Sequence, residues 1–401
     1  MKNKQRLYID VSRLVLADMG SGIPRVARAL LSKLLYMHTS EYEIYPVYAK
    51  SDQIGYWQAN CFMRERFGIQ GLPEKDTPIS YSYSDIFLGS VDSPRGRLAE
   101  QQPFLNKMKT HGVLIYTFVY DLLPILNPDF FVSKNSYDDI LLRDTKYSNV
   151  KHEILFQKWL HTLSIYDGAI CISNTTAKSL KKWFEKYHPE KLSFFKISWI
   201  HLSGELMGSI PSYGLPEDAE EVFSWMHQRP TFLIVSTLEP RKGHAQSLAA
   251  FEQLWNFGTD INLLIVGSPG WGMEKVTQDI VRLMQKESRL KWLCGISDEY
   301  LEKLYQNCTV TLMTSEGEGF GLPVAEAAWY GCPLLLRDIP VFRELADGHA
   351  TFFTGLAPSE LAAAIANWLY LNTQGKIPST EGMKLLTWRE SAQMLLEKLS
   401  L

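Results

Sequence analysis

The sequence contains few cysteines and no paired cysteine motif. Its five cysteines are an odd number, they are widely scattered, and no two form a Cys-x-x-Cys pair: Cys61, Cys171, Cys294, Cys308 and Cys332. A disulfide-stabilised secreted domain or a structural zinc site would need closely spaced, pairable cysteines. The pattern therefore predicts reduced, mostly buried thiols, as in a cytoplasmic protein.

Long apolar segments and an excess of one charge are also missing. No run approaches the length of about 18 apolar residues that spans a bilayer. The basic residues at the start precede no apolar segment of a secretory signal. The formal net charge is −3, which argues against the basic surface of a general nucleic-acid binder. We expect a soluble or peripheral protein that has no nucleic-acid partner.

The 401 residues are enough for two domains, each with its own core. One series of strand and helix patterns begins at residues 7–11, and a similar series begins at 230–237. Between them, glycines and prolines interrupt residues 206–229, which are predicted to form a linker. Residues 333–336 and 338–344 are expected to complete the second sheet. The patterns predict an α/β protein built from two similar halves.

The most informative stretch is 314–336. Glycine stands at every second position, at Gly317, Gly319 and Gly321, and is followed by Pro323, a helix-forming run and a short apolar strand. Alternating glycines before a helix allow backbone N–H groups to approach an anion, and the helix adds the positive end of its dipole. Pro323 suits the first helical position. The stretch predicts an anion-binding turn.

Two carboxylates bracket this turn. Glu318 lies in the loop and Glu326 in the first helical turn, with seven residues between them. A carboxylate at the mouth of a phosphate-binding loop can accept hydrogen bonds from sugar hydroxyls. The alternative is a capped helix that carries two solvated glutamates. The glycines, the proline and the following strand favour the binding site.

Together with these glycines and the following GCP, the spacing Glu318-x7-Glu326 resembles the E-x7-E signature of retaining glycosyltransferases of glycosyltransferase family 4. The resemblance is strongest over 230–345. It implies the GT-B fold, in which two Rossmann-like domains with parallel sheets face each other across a cleft. The implied division is an acceptor-side domain at 1–205, a linker at 206–229, a nucleotide-sugar domain at 230–385 and a helix at 386–401 that crosses back to the first domain.

The second half also supplies two adjacent cations, Arg241 and Lys242, at the carboxyl end of a predicted strand. Arg241 can bind two oxygens of a diphosphate and Lys242 adds a point charge; the alternative is an exposed surface turn. The resemblance implies that Glu318 binds the donor sugar and Glu326 the ribose. It implies further donor contacts at Gly319, Phe320, Gly321, Leu322, Ser236, Gly267 and Ile296. No Asp-x-Asp metal signature is present, so we expect no metal and no other cofactor, with cations and helix dipoles in the metal's place.

In the first half, the run that contains Gly20, Gly22 and Arg25 resembles the first glycine loop of family 4 enzymes, which faces the donor. A Gly-x-Gly turn is weak evidence on its own, because many strand–helix turns need glycine. Arg25 is a candidate cation for the diphosphate; the alternative is a solvated arginine near the start of a helix.

Tyr120 and Asp121 follow a buried strand, at the end where ligands of parallel sheets bind. Many family 4 members have His-Asp at this point, and Tyr120 takes the place of the histidine. The tyrosine hydroxyl could still hydrogen-bond the sugar. Asp121 is a candidate catalytic residue; the alternative is that it braces the following turn.

Two further segments remain open. Residues 51–112 have no clear pattern and could shape an acceptor site. Residues 178–196 combine lysines with aromatic side chains. That segment could lie on an anionic membrane or bind a lipid-diphosphate acceptor, and the alternative is a solvated, salt-bridged helix.

The resulting prediction is a metal-independent, retaining glycosyltransferase of surface polysaccharide biosynthesis that is either free in the cytoplasm or in peripheral contact with the inner membrane. Its first-choice donor is GDP-mannose, and its acceptor is a glycan or lipid-linked glycan. The same chemistry with a UDP-sugar or another GDP-sugar is one alternative. A catalytically silent GT-B module that binds a nucleotide sugar or glycan is an alternative of another class. A GT-B epimerase is disfavoured, because those enzymes lack this E-x7-E loop.

Overall fold

The computed structural model describes residues 4–16, 22–37, 42–50, 53–91, 100–131 and 152–400. They fall into two units. The first contains the described residues up to Phe131, residues 152–202, and the chain from Trp388 onwards. The second contains Ser203–Thr387. Among the described residues, no helix is both long enough and apolar enough to cross a bilayer.

The first unit is built on a seven-stranded sheet in the order β3-β2-β1-β4-β5-β6-β7. Neighbouring strands are parallel except β2 and β3. The strands are β1 (Gln5–Asp10), β2 (Tyr42–Tyr48), β3 (Trp57–Gln58), β4 (Ile86–Gly89), β5 (Leu114–Val119), β6 (Gly168–Cys171) and β7 (Lys196–Trp199). The helices are α1 (Ser12–Leu16), α2 (Ile23–Tyr36), α3 (Asn60–Phe67), α4 (Gln102–Thr110), α5 (Leu123–Leu126), α6 (His152–Thr162) and α7 (Asn174–Tyr187).

The second unit is built on six parallel strands in the order β10-β9-β8-β11-β12-β13. The strands are β8 (Thr231–Val235), β9 (Asn262–Val266), β10 (Leu290–Leu293), β11 (Val310–Met313), β12 (Leu334–Arg337) and β13 (Thr351–Phe353). The helices are α8 (Ala219–His227), α9 (His244–Asn256), α10 (Glu274–Met284), α11 (Asp298–Asn307), α12 (Leu322–Trp329), α13 (Pro340–Ala346) and α14 (Pro358–Thr373). The last described helix, α15 (Trp388–Lys398), packs against α2 in the first unit.

Both faces of the second sheet are buried. Side chains alternate along each strand, so neighbouring residues enter different clusters. Leu233 and Leu264 belong to the cluster on one face, whereas Phe232 and Leu263 belong to the cluster on the other. Helices cover both faces, which explains why these strands read as continuous apolar runs in the sequence.

The strand order reverses between β8 and β11, as it does in Rossmann-type sheets. The loops after these two neighbouring strands therefore leave the same edge of the sheet side by side. They are residues 236–243 and 314–321, the two segments that carry the predicted site. Topology thus brings together residues that are more than 70 positions apart.

Two parts of the fold differ from the sequence prediction, and a third part had no prediction. Residues 206–229 belong to the second unit, because α8 buries Val222 and Phe223 in its core. The strand predicted at 338–344 is wrong: Pro340, which lacks an N–H for strand pairing, begins α13, and the sheet ends with β13. The unassigned residues 51–112 contain β4, a central strand of the first sheet.

The carboxyl end of β1 holds a buried carboxylate, Asp10. Its Oδ1 accepts hydrogen bonds from Ser12 N at 3.1 Å and from Ser12 Oγ at 2.5 Å. Burial raises the pKa of Asp10 to about 6, although these hydrogen bonds oppose the shift. The side chain is fully enclosed, so its charge is poorly solvated when it ionises.

We expect Asp10→Asn to become progressively more stable than the wild type as the pH rises. Because the folded-state pKa of Asp10 lies above its ordinary value, its favourable contribution is present below about pH 4 and is lost as the pH rises through about 6. A shift of about two pKa units corresponds to roughly 3 kcal/mol. Urea unfolding at several pH values should show the difference in unfolding free energy growing by about that amount between pH 4 and 8. Parallel pH curves would contradict the prediction, and Asp260→Asn, at an exposed aspartate, is the control.

Candidate active site

The loop after β8 forms one tight turn that ends at a glycine. Residues Pro240–Lys242 make a single 3-10 turn, and Gly243 follows in the left-handed conformation with φ 74° before α9 begins. A Cβ atom at Gly243 would lie 2.5 Å from the carbonyl oxygen of Thr314. Glycine is therefore required both by the backbone angle and by the approach of the neighbouring loop.

The loop after β11 ends in the same way. Gly321 has φ 102° and is the residue before α12, and a Cβ atom there would lie 2.8 Å from Phe342 Cε1. Helix α12 begins at Leu322, so Pro323 lies in its first turn, where its missing N–H is not needed. Gly319 and Phe320 are buried within this loop.

Hydrogen bonds join the two loops. Glu316 N donates to the carbonyl oxygen of Arg241 at 2.8 Å, and Thr314 Oγ1 donates to the carbonyl oxygen of Lys242 at 2.8 Å. On α9, the hydroxyl of Ser247 lies 3.0 Å from Thr314 Oγ1. These bonds fix the backbone that presents the two cations.

Four charged side chains meet at this junction, and we call Glu239, Arg241, Lys242 and Glu318 the charged quartet. Glu318 bonds to both cations, with Oε1 2.5 Å from Lys242 Nζ and Oε2 2.9 Å from Arg241 Nη1. Arg241 Nε lies 3.0 Å from Glu239 Oε2. None of the four side chains is more than 16% exposed. The quartet has two positive and two negative groups, so it carries no formal net charge.

The two carboxylates of the quartet differ in their pKa. Burial disfavours ionised Glu318, but the charges of Lys242 and Arg241 outweigh burial and hold its pKa at about 2. Burial raises the pKa of Glu239, and the nearby charge of Glu318 adds to that effect while Arg241 and Lys242 oppose it. Burial and Arg241 also lower the pKa of Lys242. Glu318 therefore stays ionised near neutral pH, whereas Glu239 is the easier of the two carboxylates to protonate.

A buried histidine lies next to the quartet. His244 is the first residue of α9, and its Nε2 is 3.2 Å from the hydroxyl of Ser236, which directly follows β8. Burial, together with the charge of Lys242, lowers the pKa of His244 to about 3. The imidazole is therefore neutral near neutral pH and adds no charge to the site.

Glu326 is buried on α12 and has a tyrosine partner. Its Oε2 accepts a hydrogen bond from the Tyr305 hydroxyl at 2.9 Å. The Tyr305 ring stacks on Tyr330 with 6.2 Å between ring centroids and 13° between planes. This arrangement holds the carboxylate from the side of α11.

Two more predicted donor residues follow neighbouring strands of the same sheet. Gly267 comes after β9, and a Cβ atom there would lie 1.9 Å from the carbonyl oxygen of Ser236, so the two loops are in close contact. Ile296 comes after β10, at the edge of the sheet, and packs half-buried against the core. The next residue, Ser297, caps α11 by accepting a hydrogen bond from Tyr300 N.

The first unit carries the remaining predicted residues. Gly22, with φ 61°, is the residue before α2, and Arg25 lies half-buried in the first turn of that helix. The hydroxyl of Tyr120 donates to the carbonyl oxygen of Val91 at 2.6 Å. Asp121 Oδ1 accepts from Leu123 N at 3.1 Å, which fits the alternative of a turn-bracing aspartate. Gly20 lies outside the described residues.

Sequence reasoning did not identify Glu239, His244 or Tyr305. Glu239 and His244 flank the predicted cations, so their position in the chain was the available signal. Tyr305 lies on the buried face of α11 with Leu301 and Leu304, and its spacing there is that of any core residue. Only the fold reveals its contact with Glu326.

Comparison with known families and proteins gives matches along the chain. Residues 217–379 match the family model described as glycosyl transferases group 1. The chain is 36% identical over 401 residues to the serotype-specific mannosyltransferase WbdA of Escherichia coli, which is 99% of this chain and 47% of that protein. The chain thus spans about half the length of the curated relatives that it matches along its whole length.

Solved structures resemble the chain at low sequence identity. Anabaena Alr3699/HepE in complex with UDP and glucose gives a TM-score of 0.57 at 18% identity, covering 99% of this chain and all of that chain. The N-terminal domain of Candida albicans trehalose-6-phosphate phosphatase gives 0.59 at 16% identity, covering 99% and 97%. The predicted α/β class and GT-B fold, with two Rossmann-like parallel sheets, are thereby confirmed.

Proposed function

We propose that this chain is a glycosyltransferase of surface polysaccharide biosynthesis, because residues 217–379 match the family model of glycosyl transferases group 1. It transfers a hexose from a nucleotide-diphosphate sugar to a glycan or lipid-linked glycan. The observation that carries the proposal is the charged quartet, which lies at the switch point of a Rossmann-type sheet beside the start of α12. Nucleotides bind Rossmann-type sheets at that point.

Each part of the site has a task in this reaction. Arg241 and Lys242 neutralise the diphosphate as the bond to the sugar breaks, which stabilises the departing nucleoside diphosphate. The N–H groups of residues 319–322 and the dipole of α12 act in the same direction. Glu326, held by Tyr305, accepts the ribose hydroxyls. These cations and dipoles replace a metal ion, so we propose a metal-independent enzyme.

Glu318 can interact either with the two cations or with the donor sugar. It is bonded to Arg241 and Lys242, the same cations that are proposed to bind the diphosphate. An incoming diphosphate competes with the carboxylate for these cations. Once displaced, Glu318 is able to accept hydrogen bonds from the donor sugar. We propose that transfer retains the anomeric configuration, and we assign no protein nucleophile.

The first-choice donor is GDP-mannose. Support comes from WbdA, which is described as a mannosyltransferase and is similar to this chain over its whole length. A UDP-sugar is the alternative, and the likeness to HepE in complex with UDP and glucose favours testing it.

We further propose that the protein works in the cytoplasm, at the membrane surface. The outer face of α7 and the segment after it are basic, with exposed lysines at Lys178, Lys181, Lys182, Lys186 and Lys196. Phe194 is 57% exposed beside them. Exposed lysines with a nearby aromatic side chain suit an anionic lipid surface, where a lipid-linked acceptor would be found.

Calorimetric titration with GDP, UDP, ADP, GDP-mannose and UDP-glucose, with and without EDTA, tests the proposal. We expect selective binding of GDP and GDP-mannose that survives EDTA. Selective UDP binding would move the donor to the alternative, and no binding of any nucleotide would overturn the transferase. Nuclear magnetic resonance of the transfer product reports whether the anomeric configuration of the donor sugar is retained.

Sedimentation with anionic and neutral vesicles tests the membrane contact. We expect the protein to sediment with the anionic vesicles, and equal sedimentation with both kinds of vesicle would refute the contact.

A further inference from the structure

The charged quartet is electrically balanced before any ligand arrives. Arg241 and Lys242 are matched by Glu239 and Glu318, and the site is mostly shielded from water. The diphosphate of a nucleotide sugar brings two more negative charges. If both glutamates stayed ionised, two cations would face four negative charges in a poorly solvated site, which is unfavourable.

Glu239 is held in place more tightly than a surface glutamate. It is 8% exposed, and its neighbour Leu238 exchanges backbone hydrogen bonds with the loop after β9, at Ser268 and Gly270. A Cβ atom at Gly270 would lie 3.1 Å from Glu239 Cγ, so this loop packs against the side chain. Glu239 therefore cannot turn into water without moving that loop. Its remaining way to lose charge is to bind a proton.

We propose that Glu239 is a positioning residue, which orients Arg241 in the free protein and takes up one proton from solvent when a nucleotide sugar binds. The proton goes to a carboxylate oxygen of Glu239, and Arg241 keeps its own protons. No covalent bond between heavy atoms forms or breaks. The inference rests on the proposed function, because it requires the diphosphate to bind at Arg241 and Lys242.

The charged groups around Glu239 favour this assignment. Arg241, Lys242 and Glu318 face it, and the loop after β9 adds none, since residues 268–272 are Ser-Pro-Gly-Trp-Gly. Burial already raises the pKa of Glu239. The diphosphate of a bound nucleotide sugar would raise the pKa of Glu239 further, because the diphosphate adds negative charge and pairs with the same cations. Glu318 and His244, whose pKa values are about 2 and 3, do not titrate near neutral pH.

Calorimetry in buffers of different ionisation enthalpy counts the protons that accompany binding. GDP-mannose and UDP-glucose are suitable probes, because both phosphates of a nucleotide sugar are esterified and neither titrates near neutrality. We expect uptake of about one proton per bound nucleotide sugar in the wild type, and an affinity that falls by up to about tenfold per pH unit over the range of uptake. Glu239→Gln should take up none and should bind with little dependence on pH.

Two further variants separate this role from a structural one. Glu239→Asp keeps the carboxylate and should restore proton uptake. Glu287→Gln removes another carboxylate that pairs with an arginine, Arg289 at 2.7 Å, and should leave the uptake at its wild-type value.

The outcomes distinguish this inference from the proposed function. Binding without proton uptake at any pH between about 6 and 9, or uptake that persists in Glu239→Gln, would overturn the role of Glu239 and leave the transferase standing. No binding of any nucleotide sugar would overturn the transferase itself and the inference with it. Proton uptake by the wild type alone can contradict the inference, so the test remains decisive even if a variant fails to fold.

Discussion

Glu318→Ala is expected to bind nucleoside diphosphates more tightly than the wild type and to lose transfer. Glu318 bonds to both Arg241 and Lys242, so its removal takes away the carboxylate that competes with the diphosphate for these cations. A close charge pair at a binding site is worth about 1.5 kcal/mol or more, which corresponds to roughly tenfold in affinity. Transfer should fall by about 100-fold or more, because the group proposed to bind the donor sugar is gone.

The same substitution should destabilise the unliganded protein. Removing one partner of a buried ion pair typically costs about 3–5 kcal/mol, because the remaining charge is left unpaired in a poorly solvated site. A bound nucleoside diphosphate would supply the missing negative charge, so the variant should gain more stability from ligand than the wild type does. Thermal unfolding with and without GDP measures this difference.

Two variants serve as references for this experiment. Glu318→Gln keeps the shape of the side chain and removes its charge, so it should share the tighter binding. Glu316→Gln removes a carboxylate two residues away, whose charge acts on Arg337. It should leave both binding and transfer near wild type. Weaker diphosphate binding in Glu318→Ala would show that the carboxylate does not compete with the ligand.

Arg241→Ala is expected to weaken nucleotide-sugar binding by about 30-fold or more. Truncating one partner of a buried, hydrogen-bonded charge pair costs about 2–5 kcal/mol. Arg241 also spans Glu239 and Glu318 at the same time, through Nε and Nη1. The variant would leave two buried carboxylates with Lys242 as the remaining cation of the quartet. Titration with GDP-mannose and UDP-glucose measures the loss.

A lysine should not rescue this position. Lysine offers one point charge and cannot bridge two carboxylates in the fixed geometry of a guanidinium group. Arg241→Lys should therefore bind much more weakly than the wild type, although its charge is kept. Arg343→Ala is the matched control, since Arg343 is 43% exposed and pairs with Asp338 and Asp347 on the surface. Wild-type affinity in Arg241→Ala would contradict its place in the donor site.

The fold of the second unit could be predicted because its strands are unambiguous. Strands such as β8 and β9 are buried on both faces and read as continuous apolar runs between turn residues. The fold of the first unit was harder to predict from the sequence. Its strand β4 has four residues and ends at Gly89, which is too short for a periodic signal. Its position between β1 and β5 follows from pairing with distant residues.

For the site as well, the residues could be predicted from their local sequence, but their contacts with distant residues could not. Arg241, Lys242 and Glu318 stand out in the sequence because glycines and strands surround them. Their contacts with one another depend on the strand order, which places β8 beside β11. The engagement of Glu318 with both cations, and the hydrogen bond from Tyr305 to Glu326, are side-chain contacts that no spacing encodes.

The packing of α15 against α2 has a consequence for synthesis on the ribosome. These two helices belong to the same unit, yet the whole second unit lies between them in the chain. A nascent chain thus presents the α15-binding face of α2 throughout translation of residues 203–387. The described part of the second unit, Ser203–Thr387, is one continuous segment, whereas the first unit is completed only after α15 has been made. During that interval, the uncovered face of α2 is the kind of transiently exposed surface that makes incompletely folded chains prone to aggregate.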